Sequence, residues 1–460
     1  MTGIPFCRLP RRVAPQDSGT LPLRGSRTPI RHRSILSLLL AVFIGTAMPG
    51  PPAAAATDSS PTAATWTASW TASPQPSWPS DFILPLGTPT HFQDQSLRQF
   101  LRLSLGARRL RVEFSNAHGT APLHIAAAAL ALAGPGASTQ PSSARGLRFA
   151  GSAKAVVPAG AYAVSDPVDL PVADGTRLAV SLFLPSAGLA GFHFDARDTM
   201  FIARGNRVAD ARWPADTPSV ATRAFVSAVH VENNRARGAV VALGDSLTDG
   251  NGATPGGDHR WTDALAVRLA PHGLAVLNAG ISGNRLLRDG MGQSGLARVR
   301  RDVFAQPGVR TLVVLLGTND IGWPGGPFAP GEPAVTVEQL IAGYRQLIAQ
   351  ARVHGLRVVG ATLPPFEGAL AGTPLEGHHS PAKEALRQQI NHWLRSTDTF
   401  DAVVDLDRVL RDPGHPARLR LTYDSGDHLH PSDAGYRVLA AALNEPGVLP
   451  GRRAPAAPRD

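Results

Sequence analysis

From about residue 97 to residue 231 apolar and polar positions alternate with a period of two. Leu101, Leu103 and Leu105 interleave with Arg102 and Ser104. Beyond Gly106-Ala107, Leu110, Val112 and Phe114 interleave with Arg111 and Glu113. Successive side chains of a strand point to opposite faces, so these two runs predict a hairpin with one buried face. Asp174-Gly175 supplies a turn before Leu178, Val180, Leu182 and Leu184, and Pro185 is expected to end that strand. Short strands parted by Gly, Pro and Ser clusters predict an all-β sandwich of jelly-roll type.

Near Arg235-Ala236-Arg237-Gly238 the pattern changes. Ala239-Val240-Val241-Ala242-Leu243, Leu274-Ala275-Val276-Leu277, Thr311-Leu312-Val313-Val314-Leu315-Leu316, Arg357-Val358-Val359-Gly360-Ala361 and Ala402-Val403-Val404 are compact apolar runs. Continuous runs suit strands buried on both faces of a parallel sheet. Between them, residues 261–269, 337–354 and 382–394 carry helical patterns. Such strands alternating with helices predict a doubly wound α/β domain of roughly two hundred residues.

The chain has 460 residues, 43% of them hydrophobic, with 46 glycines and 41 prolines. That is enough apolar content for globular cores joined by many loops, and length enough for two domains. The expected organisation is a β-sandwich over 81–235, an α/β domain over 236–450 and a tail at 451–460. Residues 57–80, rich in Ser, Thr, Ala and Pro, read as a linker or a strand leading into the β-region. Trp66, Trp70 and Trp78 are expected to pin that segment to its neighbour rather than to form a sugar-stacking platform. A single cysteine, Cys7, excludes a disulfide within the chain, a thiolate zinc finger and an iron–sulfur cluster.

A formal charge of +10 would suit a polyanion binder, but residues 1–56 hold seven arginines against one acid, Asp17, and so carry six of those ten charges. Arg31 and Arg33 precede an apolar run at 35–48, followed by Ala53-Ala54-Ala55-Ala56, the layout of a secretory signal peptide. The run is too short to span a membrane comfortably, and no comparable run follows. Arg11-Arg12 lies too far upstream of it for a twin-arginine signal. The expectation is a protein secreted to the periplasm or beyond, with 1–56 removed and no membrane span in the mature chain. No phosphate-binding loop, zinc-finger spacing or aromatic-interleaved basic stripe points to nucleic acid. Arg298, Arg300 and Arg301, the densest basic cluster, are expected on an exposed helix face.

In open parallel sheets ligands bind beyond the carboxyl ends of the strands. Gly244-Asp245-Ser246-Leu247 follows the first run, Ile281-Ser282-Gly283-Asn284 the second and Gly317-Thr318-Asn319-Asp320 the third. Asp427-His428-Leu429-His430 precedes a last helix expected near Ser432. Serine becomes a nucleophile when a base takes its proton, and a carboxylate fixes the tautomer of that base. Ser246, His430 and Asp427 are the candidates for these roles. The backbone N–H groups of Ser246 and Gly283 and the Asn319 amide are candidates for an oxyanion hole, with Gly283 leaving room for the acyl oxygen.

These four blocks, in this order, resemble the SGNH or GDSL hydrolases over residues 238–446. The β-rich segment, notably Arg98 to Asn116 and Ser165-Asp166-Pro167-Val168, is similar to the N-terminal region of a two-domain bacterial branch described as arylesterases or acylhydrolases. The resemblance implies a flavodoxin-like three-layer catalytic domain that acts on esters without a metal or other cofactor. The expected activity is hydrolysis of short acyl esters, small or carried on polysaccharides, with aryl esters as surrogates. Lipid esters are the alternative substrate, and a non-catalytic carbohydrate-binding protein the alternative class.

The same residues admit other readings. Ser246 could be a helix cap. Asp427, His428 and His430, with Asp424 or His415, could hold zinc, though no His-x-x-x-His pair on a helix supports it. The G-x-S-x-G elbow of another serine-hydrolase fold is missing. Asp320 reads as a loop anchor, Trp323 as either a pocket wall or a loop anchor, and His378-His379 as a solvated loop. Asp258-His259-Arg260 reads as helix capping and charge compensation.

Overall fold

The computed structural model describes residues 66–449. The leader expected at 1–56 and the tail at 451–460 lie outside the described residues. The alternating region forms β1 (Trp66–Thr71), β2 (His91–Arg102), β3 (Ala107–Ser115), β4 (Ala127–Leu132), β5 (Val168–Val172), β6 (Arg177–Gly188), β7 (Met200–Arg204) and β8 (Val226–Glu232). One five-stranded antiparallel sheet runs β1-β8-β3-β5, with Tyr162–Val164 paired to β3. A six-stranded one sets β7, β2, β6 and β4 side by side. Both sheets feed one apolar cluster, for example Leu110, Val112 and Phe114 from the first and Leu97, Leu178 and Val180 from the second.

The expected hairpin is not formed. β2 pairs with β6 and β7, whereas β3 pairs with β8 and β5, so the chain changes sheets between them. At this corner the Leu103 N–H donates to Thr176 O, the Ser104 N–H to Ser69 O and the Gly106 N–H to Asp174 Oδ1. Alternation reads the same on either side of a corner as across a hairpin, so the pattern did not separate them. Nor does Pro185 end its strand. Leu184 and Ser186 pair with Gln95 and Gln93 on either side of it, opposite Asp94, whose backbone is left-handed at φ 49°.

The later apolar runs form β9 (Gly238–Gly244), β10 (Leu274–Gly280), β11 (Val309–Leu315), β12 (Arg357–Ala361) and β13 (Ala402–Val404). All pair in parallel, in the order β10-β9-β11-β12-β13, the flavodoxin-like arrangement. The helices are α1 (Ser246–Asp249), α2 (Trp261–Leu269), α3 (Gly295–Val299), α4 (Thr318–Gly322), α5 (Val337–Val353), α6 (Pro381–Ser396), α7 (Leu406–Leu410) and α8 (Asp433–Leu443). Alternate sheet residues face opposite layers. Val240, Ala242 and Val313 pack with Trp261 and Leu265 of α2 and Tyr436 and Leu439 of α8. Val241, Leu243 and Leu312 pack with Leu340 and Leu347 of α5 and Ile390 and Leu394 of α6. Burying both faces is why these strands read as continuous apolar runs.

The β-rich part covers the open edge of the parallel sheet at β10. Ser104 Oγ donates to Val276 O at 2.6 Å, and Thr71 Oγ1 donates to Asn278 O at 3.0 Å. An unpaired edge would invite association, and this contact shields it. The segment read as a linker is thus, from Trp66 onward, a built-in strand. Trp66 lies under Arg111 and Trp70 under Arg223, and the Trp78 indole donates to Met291 O at 2.8 Å.

Candidate active site

Ser246 opens α1 directly after β9. A Cβ at Gly244 would lie 2.0 Å from Thr248 Oγ1, so the tight strand-to-helix turn excludes any side chain there. Asp245 caps the helix, its Oδ1 accepting the Leu247 N–H at 3.0 Å.

The base arrives on the loop before α8. Asp424 shapes that loop: Oδ1 accepts the N–H groups of Gly426 and His428, and Oδ2 meets His428 Nδ1 at 2.5 Å. Asp427 divides its carboxylate in the same way. Oδ1 accepts the N–H groups of Leu429 at 2.9 Å and His430 at 2.8 Å, while Oδ2 lies 2.5 Å from His430 Nδ1. His430 Nε2 is 2.8 Å from Ser246 Oγ. Burial raises the Asp427 carboxyl, but the hydrogen bond and charge of His430 and the two backbone N–H groups outweigh it and hold it well below the usual range. The ionised carboxylate fixes a proton on Nδ1, which leaves Nε2 to accept the Ser246 hydroxyl.

Gly283 and Asn319 line the same cavity as Ser246 and His430, which has a volume of about 300 Å³. Gly283 sits at φ +71°, and a Cβ there would meet Met291 Sδ at 2.3 Å and Trp323 Cζ2 at 2.8 Å. The side chain is therefore excluded by the cavity wall and the backbone conformation rather than by the acyl oxygen. Asn319, on α4, donates one amide hydrogen to Asn284 O at 3.0 Å and retains a second. Asp320 accepts the N–H groups of Leu286 at 2.6 Å and Leu287 at 3.0 Å and so anchors the loop that carries Gly283. Burial pushes Asp320 up to about 6 and Asp245 up to about 7, and Asp245 Oδ2 has no partner.

Two polar groups lie where the sequence pattern did not put them. Arg298 is fully buried instead of covering an exposed face. It donates to Gly244 O (2.9 Å), Ala279 O (2.8 Å), Asn284 Oδ1 (2.9 Å) and Asp302 Oδ2 (2.8 Å), tying the ends of β9 and β10 to the Gly283 loop. Arg300, two residues on, is exposed. His378 is buried in the cavity wall, not solvated. Its pKa is pushed down to about 3, mainly by burial, and Phe366 packs edge-on against it. Two adjacent histidines in a polar stretch gave no pattern from which that burial could be read.

The cavity wall also recruits residues the sequence reading missed. Leu84, Phe194, Asp195 and Arg197 come from the β-rich part, facing Met291, Trp323 and Phe328. Trp323 stacks on Phe328 at 4.5 Å. The run Phe192-His193-Phe194-Asp195-Ala196-Arg197 was the available signal, a dense mixture of aromatic and ionisable side chains within a β-region. A wider open cleft of about 630 Å³, lined by Arg108, Arg109 and Arg235, contains no serine, cysteine or histidine. Among the described residues no group of three or more His, Cys, Asp or Glu is arranged to hold a metal ion.

Residues 242–438 match the GDSL-like Lipase/Acylhydrolase family. This part of the chain is a GDSL-like acylhydrolase domain. Among solved structures the chain is similar to the native aryl esterase of M. smegmatis (20% identity, 45% of this chain and 96% of that one, TM-score 0.35). It is also similar to a mutant acetyl-xylooligosaccharide esterase from Geobacillus (23%, 48% and 98%, TM-score 0.33). A third is a GDSL-like lipase from Bacteroides thetaiotaomicron (19%, 45% and 86%, TM-score 0.34). No curated protein matches. Within the acylhydrolase domain the serine block, the Gly283 loop, the Asn319 helix and the His430 loop all open onto one cavity.

Proposed function

We propose that the protein is a secreted serine esterase that removes short acyl groups, acetyl above all, from carbohydrates, with aryl esters as surrogate substrates. The observation that carries this reading is the line from Asp427 through His430 to Ser246, ending in a cavity that also holds Gly283 and Asn319. A volume of about 300 Å³ lies at the lower end for small-molecule sites and favours a short acyl group over a long chain. Secretion is supported by the basic-then-apolar layout of residues 1–56.

In this mechanism Ser246 Oγ attacks the ester carbonyl carbon while its proton passes to His430 Nε2. Negative charge builds on the carbonyl oxygen and is met by the N–H groups of Ser246 and Gly283 and the Asn319 amide. Asp427 stays ionised and balances the imidazolium. His430 then protonates the leaving alkoxide, giving the acyl-enzyme and the free alcohol. A water, deprotonated by His430, releases the acid and restores Ser246.

Purified mature protein and Ser246→Ala, assayed on p-nitrophenyl acetate, test the chemistry. The parent is expected to turn over and to be labelled at Ser246 by a serine-directed phosphonate. Equal background rates for both proteins, with no label, would refute it. Acyl esters of increasing length, beside acetylated xylan and pectin, test the substrate class. Rates that rise toward long chains would assign the site to lipid esters instead.

A further inference from the structure

A second hydrogen-bonded line reaches the cavity from the β-rich part. His193 ends the short strand Gly191–His193 and is buried. Its Nδ1 lies 3.0 Å from Ser73 O and its Nε2 lies 3.0 Å from Asp249 Oδ1. A carbonyl and an ionised carboxylate can only accept, so the ring makes both bonds with a proton on each nitrogen. Asp249 is the last residue of the serine helix α1 and is 1% exposed. Its other oxygen, Oδ2, accepts both the N–H of Ser282 at 3.0 Å and the Ser282 hydroxyl at 2.7 Å. Ser282 immediately precedes Gly283.

Asp249 is fully enclosed, and burial alone would raise its carboxyl. His193, through charge and hydrogen bond, together with Arg260 and Ser282, reverses that and keeps it below the usual range, while burial and the charge of Asp249 raise the neighbouring Asp195. The ionised carboxylate can therefore accept from His193 and Ser282 at once. A bond between Asp249 and Ser282 ties the nucleophile helix to the oxyanion loop. The charge that stabilises this bond comes from a different part of the chain.

We propose that His193 is a positioning residue for the oxyanion hole: by holding the Asp249 carboxylate in place it fixes Ser282 and so aims the neighbouring Gly283 N–H at the developing oxyanion. The proposal rests on the esterase reading above. It makes the β-rich part a working component of the active site, since Ser73 and His193 both belong to it.

The test uses the full mature chain as wild type, His193→Gln, Asp249→Asn and, as a control, His259→Gln, which alters the separate His259–Asp433 pair. Each is assayed for kcat and KM on p-nitrophenyl acetate, for inhibition by phenylboronic acid as a tetrahedral mimic, and for thermal melting. Deleting an oxyanion donor outright costs about a hundred- to a thousand-fold in kcat, so misaiming one should cost about ten- to a hundred-fold. His193→Gln is expected to show that loss with KM changed less than about twofold, and with the boronate Ki raised by a similar factor. If His193→Gln fails to fold, Asp249→Asn is expected to show the same signature. Unchanged kcat in a folded variant, a loss confined to KM, or an equal loss in His259→Gln would each overturn the proposal. An inactive wild type would instead overturn the esterase reading.

Discussion

Replacing Arg298 with methionine would keep most of the buried volume and remove the guanidinium. It deletes the bonds to Gly244 O, Ala279 O, Asn284 Oδ1 and Asp302 Oδ2, and a longer one of 3.3 Å to Ser73 Oγ. Breaking a buried ion pair by removing one partner costs about 3–5 kcal/mol. Here Asp302 keeps Arg301 at 2.6 Å, which lowers that figure. Against this, Ala279 O and Gly244 O each lose a buried donor, Gly244 O keeping the Ile281 N–H at 3.2 Å, and a carbonyl left unsatisfied costs about 1–3 kcal/mol. The balance is a loss of about 4 kcal/mol. Arg300→Met, two residues along and exposed, should stay within about 0.5 kcal/mol. Urea unfolding followed by circular dichroism measures both. With a slope of about 3 kcal/mol/M the Arg298 variant should shift its midpoint by at least 1 M or so, and the Arg300 variant hardly at all. Equal shifts would refute the reasoning, because they would mean that Arg298 does not hold the strand ends.

Other changes test the site's electrostatics and shape. Asp427→Asn leaves an oxygen for the Leu429 and His430 N–H groups but turns an amide N–H toward Nδ1, which forces the ring proton onto Nε2. Esterase kcat should fall about ten-thousand-fold, and a fall of less than tenfold would count against the relay. Gly283→Ala places a methyl against Met291 and Trp323 and adds about 1–2 kcal/mol of left-handed backbone cost. It should lower kcat about a hundred-fold in a protein that still melts cooperatively. Asp245 and Asp320, pushed up to about 7 and 6, bind protons more tightly folded than unfolded. Their contribution to stability is complete below the ordinary aspartate value of about 4 and is lost as pH rises through 6 and 7. Asp427, held low, works in the opposite sense and loses its contribution only on strong acidification. The melting temperature of Asp245→Asn should therefore fall less between pH 5 and pH 8 than that of the wild type; identical slopes would rule Asp245 out as the titrating group.

The parallel sheet was legible because burial on both faces leaves a continuous apolar signal, and each of the five runs became a strand. The antiparallel region was legible only strand by strand. Alternation reports which residues share a face, not which strand lies next door, and so Leu101–Leu105 and Leu110–Phe114 read as a hairpin when they flank a corner. The site blocks were legible because the strand ends converge by topology. Ser246, Gly283 and Asn319 each follow a strand directly, and the β9–β11 adjacency brings the first and third together. Leu84, Phe194, Asp195 and Arg197 were not legible, since their place in the cavity depends on how two regions of different periodicity pack.

Buried cations are the sharper case. A sequence reading assigns charged residues to water because burying an ion costs several kcal/mol, and that cost is cancelled only by partners that the sequence does not display. This fold displays them repeatedly at loops and strand ends. Arg298 meets Gly244 O and Ala279 O, Arg98 meets Ala137 O and Asp210 O, Arg223 meets Phe100 O, and Arg387 meets Leu363 O beside Asp407. Most of these carbonyls lie in loops or near strand ends, where a buried acceptor needs a donor, and Gly244 O and Leu363 O also accept the Ile281 N–H and the Asn391 amide. A guanidinium offers five donors in a fixed plane and can bridge two or three such groups at once. Lysine, with a single compact ammonium, could not span the same carbonyls. Arg298, Arg98, Arg387 and the His193–Asp249 pair thus follow one rule: the charged group lies where backbone or carboxylate acceptors from separate segments meet, and it holds those segments in register.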